Sequence, residues 1–210
     1  MNIVSLCNVA LSRLGTQSTI SDLTEASPEA NACARFYEPT LYAVLAAHDW
    51  SFAKSQASLQ QKGIAPKPWR YQYALPSDLI RARRVVPHGF IPGMPPHVIP
   101  FEVRRGTDST GVSSPVLCTN DPDAVLDYTA LVDNPAEWST YFGEAFTWHL
   151  AAEIAVPITG RGELQSAMMQ GFQSSLQSAR HQDAAQQVLR DDRTPDFLAV
   201  RGVVSDRGWW

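Results

Sequence analysis

Apolar side chains recur at helical spacing in two runs within the first 50 residues. In residues 3–14 they lie three or four positions apart, as on one face of a helix, and Gly15 is a typical residue to end it. Ser27 then supplies an N-cap, followed by a first-turn proline and a first-turn acid. This second helix should end near Trp50, and Pro39 predicts a kink or local break within it.

The middle of the chain has a different pattern. Residues 64–132 hold 10 of the 15 prolines, which excludes long helices. Short runs of strand type alternate with turns, so we expect a small antiparallel sheet with one or two extended hairpins. The predicted strands are residues 71–74, 82–87, 101–105, 116–119 and 124–132, with a long loop at 87–100 and a turn at 106–114.

The helical pattern returns after residue 133. Asn134 and Glu137 have the spacing of a capping box, which predicts the start of a third helix. Its apolar side chains cover a wide arc, so the helix should be central, and Pro157 should end it. A last helix, about residues 161–189, is apolar on one side and rich in glutamine and serine on the other.

The order of these elements predicts an α+β fold: a four-helix bundle-like α domain with an inserted antiparallel β module and an extended C-terminal tail. Each terminal pair of helices is too small to make a core alone, so the two pairs should pack together. Residues 1–54 and 134–190 then form one discontinuous helical domain, residues 55–133 the inserted β-rich module, and residues 191–210 the tail.

Composition narrows the class of protein. The chain is 44% hydrophobic and 18% charged, which suits a globular core. Its three cysteines, Cys7, Cys33 and Cys118, include no CxxC pair, so neither a disulfide framework nor a zinc site is expected. We also expect no cofactor. Residues 1–14 lack the pattern of a signal peptide, and no apolar run has membrane-spanning length. We expect a soluble protein made in a cytoplasm.

Few residues suggest catalysis. His149 and Glu153 share a helix face, but the HExxH order of zinc proteases is missing. A glycosidase would need two carboxylates across a cleft, for which Glu144 with Glu153 or Asp127 are the candidates. There is no GxSxG, no phosphate-binding glycine loop and no dinucleotide fingerprint. We therefore expect no enzymatic activity, with a cell-wall glycan hydrolase as one alternative.

Charge is unevenly distributed. Residues 62–105 carry eight basic and two acidic side chains, a net of +6, whereas the whole chain has −4. Such a segment could meet an acidic neighbour, could face DNA as a binding module, or could simply be the solvated face of strands. The candidate basic patch consists of Arg70, Arg81, Arg83, Arg84, Arg104 and Arg105.

The tail after the last helix is apolar for a segment with little core of its own. Tryptophan is enriched at the energetic centres of protein interfaces, so the tail is predicted to bind a partner, with folding back onto the chain as the alternative. The candidate partner-binding residues are Phe197, Leu198, Val203, Val204, Trp209 and Trp210.

Several motifs, taken in order, resemble the phage tail tubular protein A family over about residues 6–190. Each motif is degenerate alone, and the match lies in their order and spacing. They are Asn8–Gly15, Ile20–Leu23, Ser27–Ala30, Asp49–Ala53, Ser58-Leu59, Tyr71–Asp78, Arg81–Val86, Asp127–Thr129 and Ala151–Ala155.

The resemblance implies a head-to-tail adaptor of short-tailed phages, related to tail accessory factors. Such adaptors form a homo-oligomeric ring, usually of twelve copies, between the portal protein and the tail nozzle protein. DNA passes through the ring without specific binding. The resemblance therefore implies a structural protein of the virion, located in the tail or neck and assembled in the host cytoplasm, with no membrane partner.

Overall fold

The computed structural model describes residues 1–86, 98–107 and 111–186 and has a mixed α+β fold, as the sequence predicts. Four helices flank two small antiparallel sheets. The helices are α1 (Ile3–Arg13), α2 (Pro28–Ala47), α3 (Thr140–Thr159) and α4 (Gly162–Gln186), and a 3-10 turn spans Ser51–Ala53. The strands are β1 (Lys54–Ser58), β2 (Tyr71–Ala74), β3 (Leu79–Val86), β4 (Phe101–Thr107), β5 (Ser113–Thr119) and β6 (Val125–Ala130).

The first two helices both begin at side-chain caps, of which the sequence predicts the one at Ser27. The Asn2 side chain accepts a hydrogen bond from the backbone N–H of Ser5 at 2.7 Å, and the Ser27 hydroxyl accepts one at the start of α2. Of the kink or local break predicted at Pro39, the break is wrong, because α2 runs through it without interruption. Pro39 and Arg35 are both exposed, so water can reach the Arg35 carbonyl that the proline leaves without a helical donor.

Helix α3 begins later and ends later than predicted. Ser139 is its N-cap, whereas Asn134 caps a preceding turn by accepting from the N–H of residue 136 at 3.1 Å. Trp138 holds that turn closed, because its indole N–H donates to the carbonyl of residue 132 at 2.8 Å. Pro157 does not end the helix. It lies on the exposed side, and the helix continues to Gly160, whose φ of +68° terminates it.

The strands form two three-stranded sheets, where the sequence predicts one. Their orders are β1-β6-β3 and β2-β5-β4, and every pairing is antiparallel. An isolated bridge pairs Val85 of β3 with Ile99, which lies just before β4. The sequence did not predict β1, whose residues Lys54–Ser58 are mostly polar and only partly covered. Of the predicted loop and turn, residues 87–97 and 108–110 lie outside the described part.

The buried apolar side chains form two clusters. The larger one unites residues from both ends of the chain, and α3 is its centre because it packs against α1, α2 and α4. Trp138 and Phe142 meet edge to face with ring centroids 5.0 Å apart, and Trp50 contacts the same phenylalanine at the same distance. The smaller cluster lies between the sheets and includes Leu59, Tyr73, Val85, Leu117, Leu126 and Tyr128.

Trp148 on α3 is held between a cation and a glycine. The Arg13 guanidinium lies 3.9 Å from its ring centroid, in cation–π contact. From α4, Gly171 approaches so closely that a Cβ atom there would lie 2.5 Å from the indole Cε3. The close packing of α4 on α3 therefore requires glycine at position 171.

We predict that Gly171→Ala lowers the free energy of unfolding by about 1–3 kcal/mol, because overpacking at Trp148 outweighs the better helix propensity of alanine. Gly162→Ala is the matched control on the same helix, since a Cβ atom there meets nothing within 4 Å. Urea unfolding followed by circular dichroism measures both variants. Equal stability of Gly171→Ala and wild type would contradict this packing.

Candidate functional site

The C-terminal end of α2 is bonded by three arginines from other parts of the chain. Arg81 on β3 donates to the carbonyl of residue 46 at 2.9 Å, and Arg180 on α4 donates to that of residue 47 at 2.7 Å. Arg83, also on β3, donates to the carbonyl of residue 48. The last carbonyls of a helix lack helical donors and carry partial negative charge, and α2 has no basic residue in its own last turn. The arginines therefore cap α2 and tie it to β3 and α4.

A buried carboxylate completes this junction. Asp183, near the end of α4, is 5% exposed. It accepts hydrogen bonds from the Ser51 hydroxyl at 2.6 Å and the Ser51 N–H at 3.0 Å, and the His48 Nε2 atom lies 3.2 Å away. Burial lowers the pKa of His48, and the Asp183 charge opposes that shift. We use "the junction" for the carbonyls of residues 46–48 with Arg81, Arg83, Arg180, Asp183, His48 and Ser51.

The junction contains Ser, His and Asp but does not have the geometry of a catalytic triad. In a triad the histidine bonds to the serine hydroxyl and receives its proton. Here Ser51 and His48 both bond to the Asp183 carboxylate. The arrangement positions the chain after α2.

Two of the candidate basic residues on β3 are also engaged within the first sheet. Arg83 donates from Nε to the Thr129 hydroxyl at 2.8 Å and lies 3.7 Å from the Asp49 carboxylate. Burial lowers the pKa of Arg83, with Asp49 opposing the shift. Arg84 donates from Nε to the Asp127 carboxylate at 2.6 Å. These arginines therefore hold β3 to β6 and to the chain after α2.

The other three candidate basic residues belong to the second sheet. Arg104 and Arg105 are on β4, where Arg104 lies 3.6 Å from the Glu102 carboxylate and Arg105 bonds weakly to a serine hydroxyl. Arg70 precedes β2 and is exposed. The six residues are thus divided between two sheets. Arg84 and Arg104 keep 48% and 38% of their side chains exposed, so binding of an acidic partner there stays a prediction.

His149 and Glu153 form the i,i+4 pair that the sequence indicates. The Nε2 and Oε1 atoms are 3.5 Å apart, and the imidazole stacks on Phe172 of α4 with ring centroids 4.3 Å apart. Burial lowers the pKa of His149, which Glu153 partly opposes. In the described ranges, no group of three or more His, Cys, Asp or Glu side chains converges as a metal site would require.

Of the carboxylate pairs proposed for a hydrolase, Glu144 and Glu153 do not come together. Glu144 and Glu153 are nine residues apart on α3, which separates their Cα atoms by about 13 Å and places them on opposite faces. Asp127 is bound instead by Arg84 and by the Gln56 amide at 2.7 Å.

Two neighbouring cavities of about 400 and 330 Å³ lie along residues 74–80 and share Leu79. Leu75, Pro76 and Pro115 line the larger cavity, and Tyr42 lies at the smaller one with 38% of its surface exposed. We call this feature the Leu79 groove.

The sequence did not predict the junction. The prediction for the tail stays a prediction. Arg180 and Asp183 are the first charged residues of α4 after the uncharged stretch 164–179, and that contrast is the only sequence signal for them. The partner-binding residues Phe197, Leu198, Val203, Val204, Trp209 and Trp210 lie outside the described residues.

We predict that Asp183→Ala lowers the free energy of unfolding by about 1–3 kcal/mol, because the N–H and hydroxyl of the half-buried Ser51 lose their acceptor. Gln182→Ala, an exposed change one residue away, should stay within about 0.5 kcal/mol of wild type. Thermal unfolding compares the two. An Asp183→Ala variant as stable as the control would show that the junction contributes little.

We predict that stability decreases on mild acidification through His149. Because the folded protein holds the pKa of His149 below its ordinary 6.5, the unfolded chain binds the proton first as the pH falls. Stability is fully present above about pH 6.5 and is lost between that value and the lower folded pKa. Urea unfolding at several pH values should show a smaller decrease for His149→Gln. An unchanged slope would contradict the prediction.

No helix in residues 1–86 or 111–186 is both long enough and apolar enough to cross a membrane. The sequence matches no protein-family model. It also matches no curated protein.

Proposed function

We propose that this chain is a structural virion protein, a ring-forming head-to-tail adaptor that links the portal to the tail nozzle and surrounds the DNA channel. The observation that carries the proposal is the junction. It ties the helical cluster to β3, so one subunit presents a helical surface and a β surface in a fixed relation. An adaptor between two different partners needs such a pair of surfaces.

The proposal includes the finer architecture. The four helices act as one bundle-like domain made from both ends of the chain, and residues 55–133 are a module inserted into it. Support comes from the larger apolar cluster, which draws on residues 6–53 and 138–179, and from the separate cluster at residues 59–130. Residues 191–210 form the extended tail that binds the portal.

A ring of identical subunits needs two different side surfaces that fit each other. The outer face of α4 is suited to be one of them. Residues 164–179 carry no charge, and Gln170, Ser174 and Gln177 are exposed. Interface centres are depleted of charged residues, because burying an unpaired charge is costly. Twelve copies, as the resemblance implies, would use this face around the ring.

DNA can pass through the channel of a ring only if the channel surface does not bind the DNA tightly. Tight binding to DNA comes from neutralising phosphates with lysine and arginine. Here Arg83 and Arg84, two of the candidate basic residues, are bound to acids and carbonyls of the same chain. The whole chain is acidic, with a net charge of −4. These features favour a protein that surrounds DNA without specific binding.

Native mass spectrometry and negative-stain imaging with the portal of the same phage test the proposal. We predict that the wild type forms rings on the portal and that Gln170→Glu/Gln177→Glu forms fewer, because each new charge would be buried between subunits. Asn31→Glu, exposed on α2, is the matched control and should assemble normally.

A chain that stays monomeric and ignores the portal would contradict the adaptor function. Normal rings from the double variant would contradict only the role of α4. Clearing of cell-wall material, or salt-sensitive binding to duplex DNA, by the wild type would instead favour a hydrolase or a DNA-binding module.

A further inference from the structure

The Leu79 groove is a largely apolar surface that the described part of the chain leaves open. Its floor follows residues 74–80, and its walls come from α2 on one side and from β5 on the other. Leu75 and Leu79 are only partly buried although they pack on the smaller apolar cluster. A segment that fills the groove would therefore extend an existing core.

The two ends of the groove differ in charge. Lys62 lines the larger cavity, with its amine 3.0 Å from the Ser114 hydroxyl. Asp78 lines the smaller cavity, and Tyr42 there donates to the Glu38 carboxylate at 2.7 Å. An occupant that suits this groove has large apolar side chains and flanking charges of both signs.

The C-terminal end of helix α4 lies near the Leu79 groove, so residues 187–210 begin close to it. Arg180 bonds to the carbonyl of residue 47 and Asp183 to Ser51, so the last turn of α4 is fixed at the end of α2. Ala46, one residue before that bonded carbonyl, lines the groove. Residues 187–210 follow Gln186, and 24 residues can extend to about 80 Å. The distance from the end of α4 to the groove is thus well within their reach.

The composition of these residues matches the groove. They contain four aspartates and four arginines together with Phe197 and the pair Trp209-Trp210. Asp206 and Arg207 are separated from the tryptophans by Gly208 alone, so both signs of charge are available close to the largest apolar groups. Buried aromatic side chains of this size contribute strongly at interfaces because of the area they remove from water.

We propose that residues 187–210 dock in the Leu79 groove of the same chain, with Trp209 and Trp210 as the anchors. The groove covers the tail's apolar side chains in the free subunit. A partner that takes the tail must then compete with this internal contact. In the adaptor, which is the proposed function on which this consequence rests, the portal releases the tail from the groove as it binds.

Quenching of bimane by tryptophan at contact distance tests the docking itself. Ser77 lines the groove and is exposed, and the three native cysteines are 0% exposed, so bimane attaches selectively to the Ser77→Cys variant. We expect lower emission from the full chain than from the same labelled chain ending at Gln186. Trp209→Leu/Trp210→Leu should restore the emission, and Tyr42→Ala should restore part of it.

Bimane on the Ser174→Cys variant is the control, because Ser174 is exposed in the middle of α4 and its emission should not depend on the tail. Quenching of the Ser77 label that survives dilution supports docking within one chain. Quenching that appears only when the labelled, shortened chain is mixed with unlabelled full chain assigns the groove to a second copy and overturns the proposal.

Equal emission from the full and shortened chains also overturns the proposal. None of these measurements uses the portal or a ring, so the docking can fail while the adaptor function stands. The adaptor function can likewise fail while the docking stands, because the tail of a monomer that does not bind the portal can still quench the bimane on residue 77.

Discussion

The end of helix α2 imposes the constraint on which the rest of the structure depends. Its last carbonyls carry partial negative charge and need donors that the helix cannot supply. Arg81 and Arg83 supply donors from a strand that is distant in sequence, and Arg180 supplies one from the last helix. Satisfying one helix end therefore fixes the positions of both β3 and α4. Guanidinium suits this role because it stays charged and presents several donors in one plane.

This use of arginine changes how the basic segment is interpreted. From the sequence, a net charge of +6 over residues 62–105 indicates a surface for DNA or for an acidic partner. In the structure, much of that charge on β3 is directed at carbonyls and carboxylates of the same subunit. Arg104 on the second sheet remains the better candidate for outside contacts, together with the exposed Arg70. The arginines of β3 are therefore bonded within their own subunit.

The sequence predicted the helices and most strands because periodicity and caps are local signals, as at Ser27. It failed where distant contacts decide. Trp138 bonds to the carbonyl of residue 132 and delays α3, Pro157 is tolerated on an exposed face, and polar β1 is a strand because β6 lies beside it. The junction was not predictable for the same reason, since Asp183 and Ser51 are 132 residues apart. The division of the strands into two sheets is likewise a property of packing.

Peptide-resolved hydrogen exchange in low urea, on wild type and Arg83→Met, tests most directly whether the junction makes one body of the two apolar clusters. In wild type the amides of α3 and β6 should open with the same free energy, as one cooperative unit does. In Arg83→Met, which removes the bonds to the carbonyl of residue 48 and to Thr129, β6 should open at a lower free energy than α3. The account would be contradicted if the amides of α3 and β6 already opened at different free energies in wild type. It would also be contradicted if they opened at the same free energy in Arg83→Met.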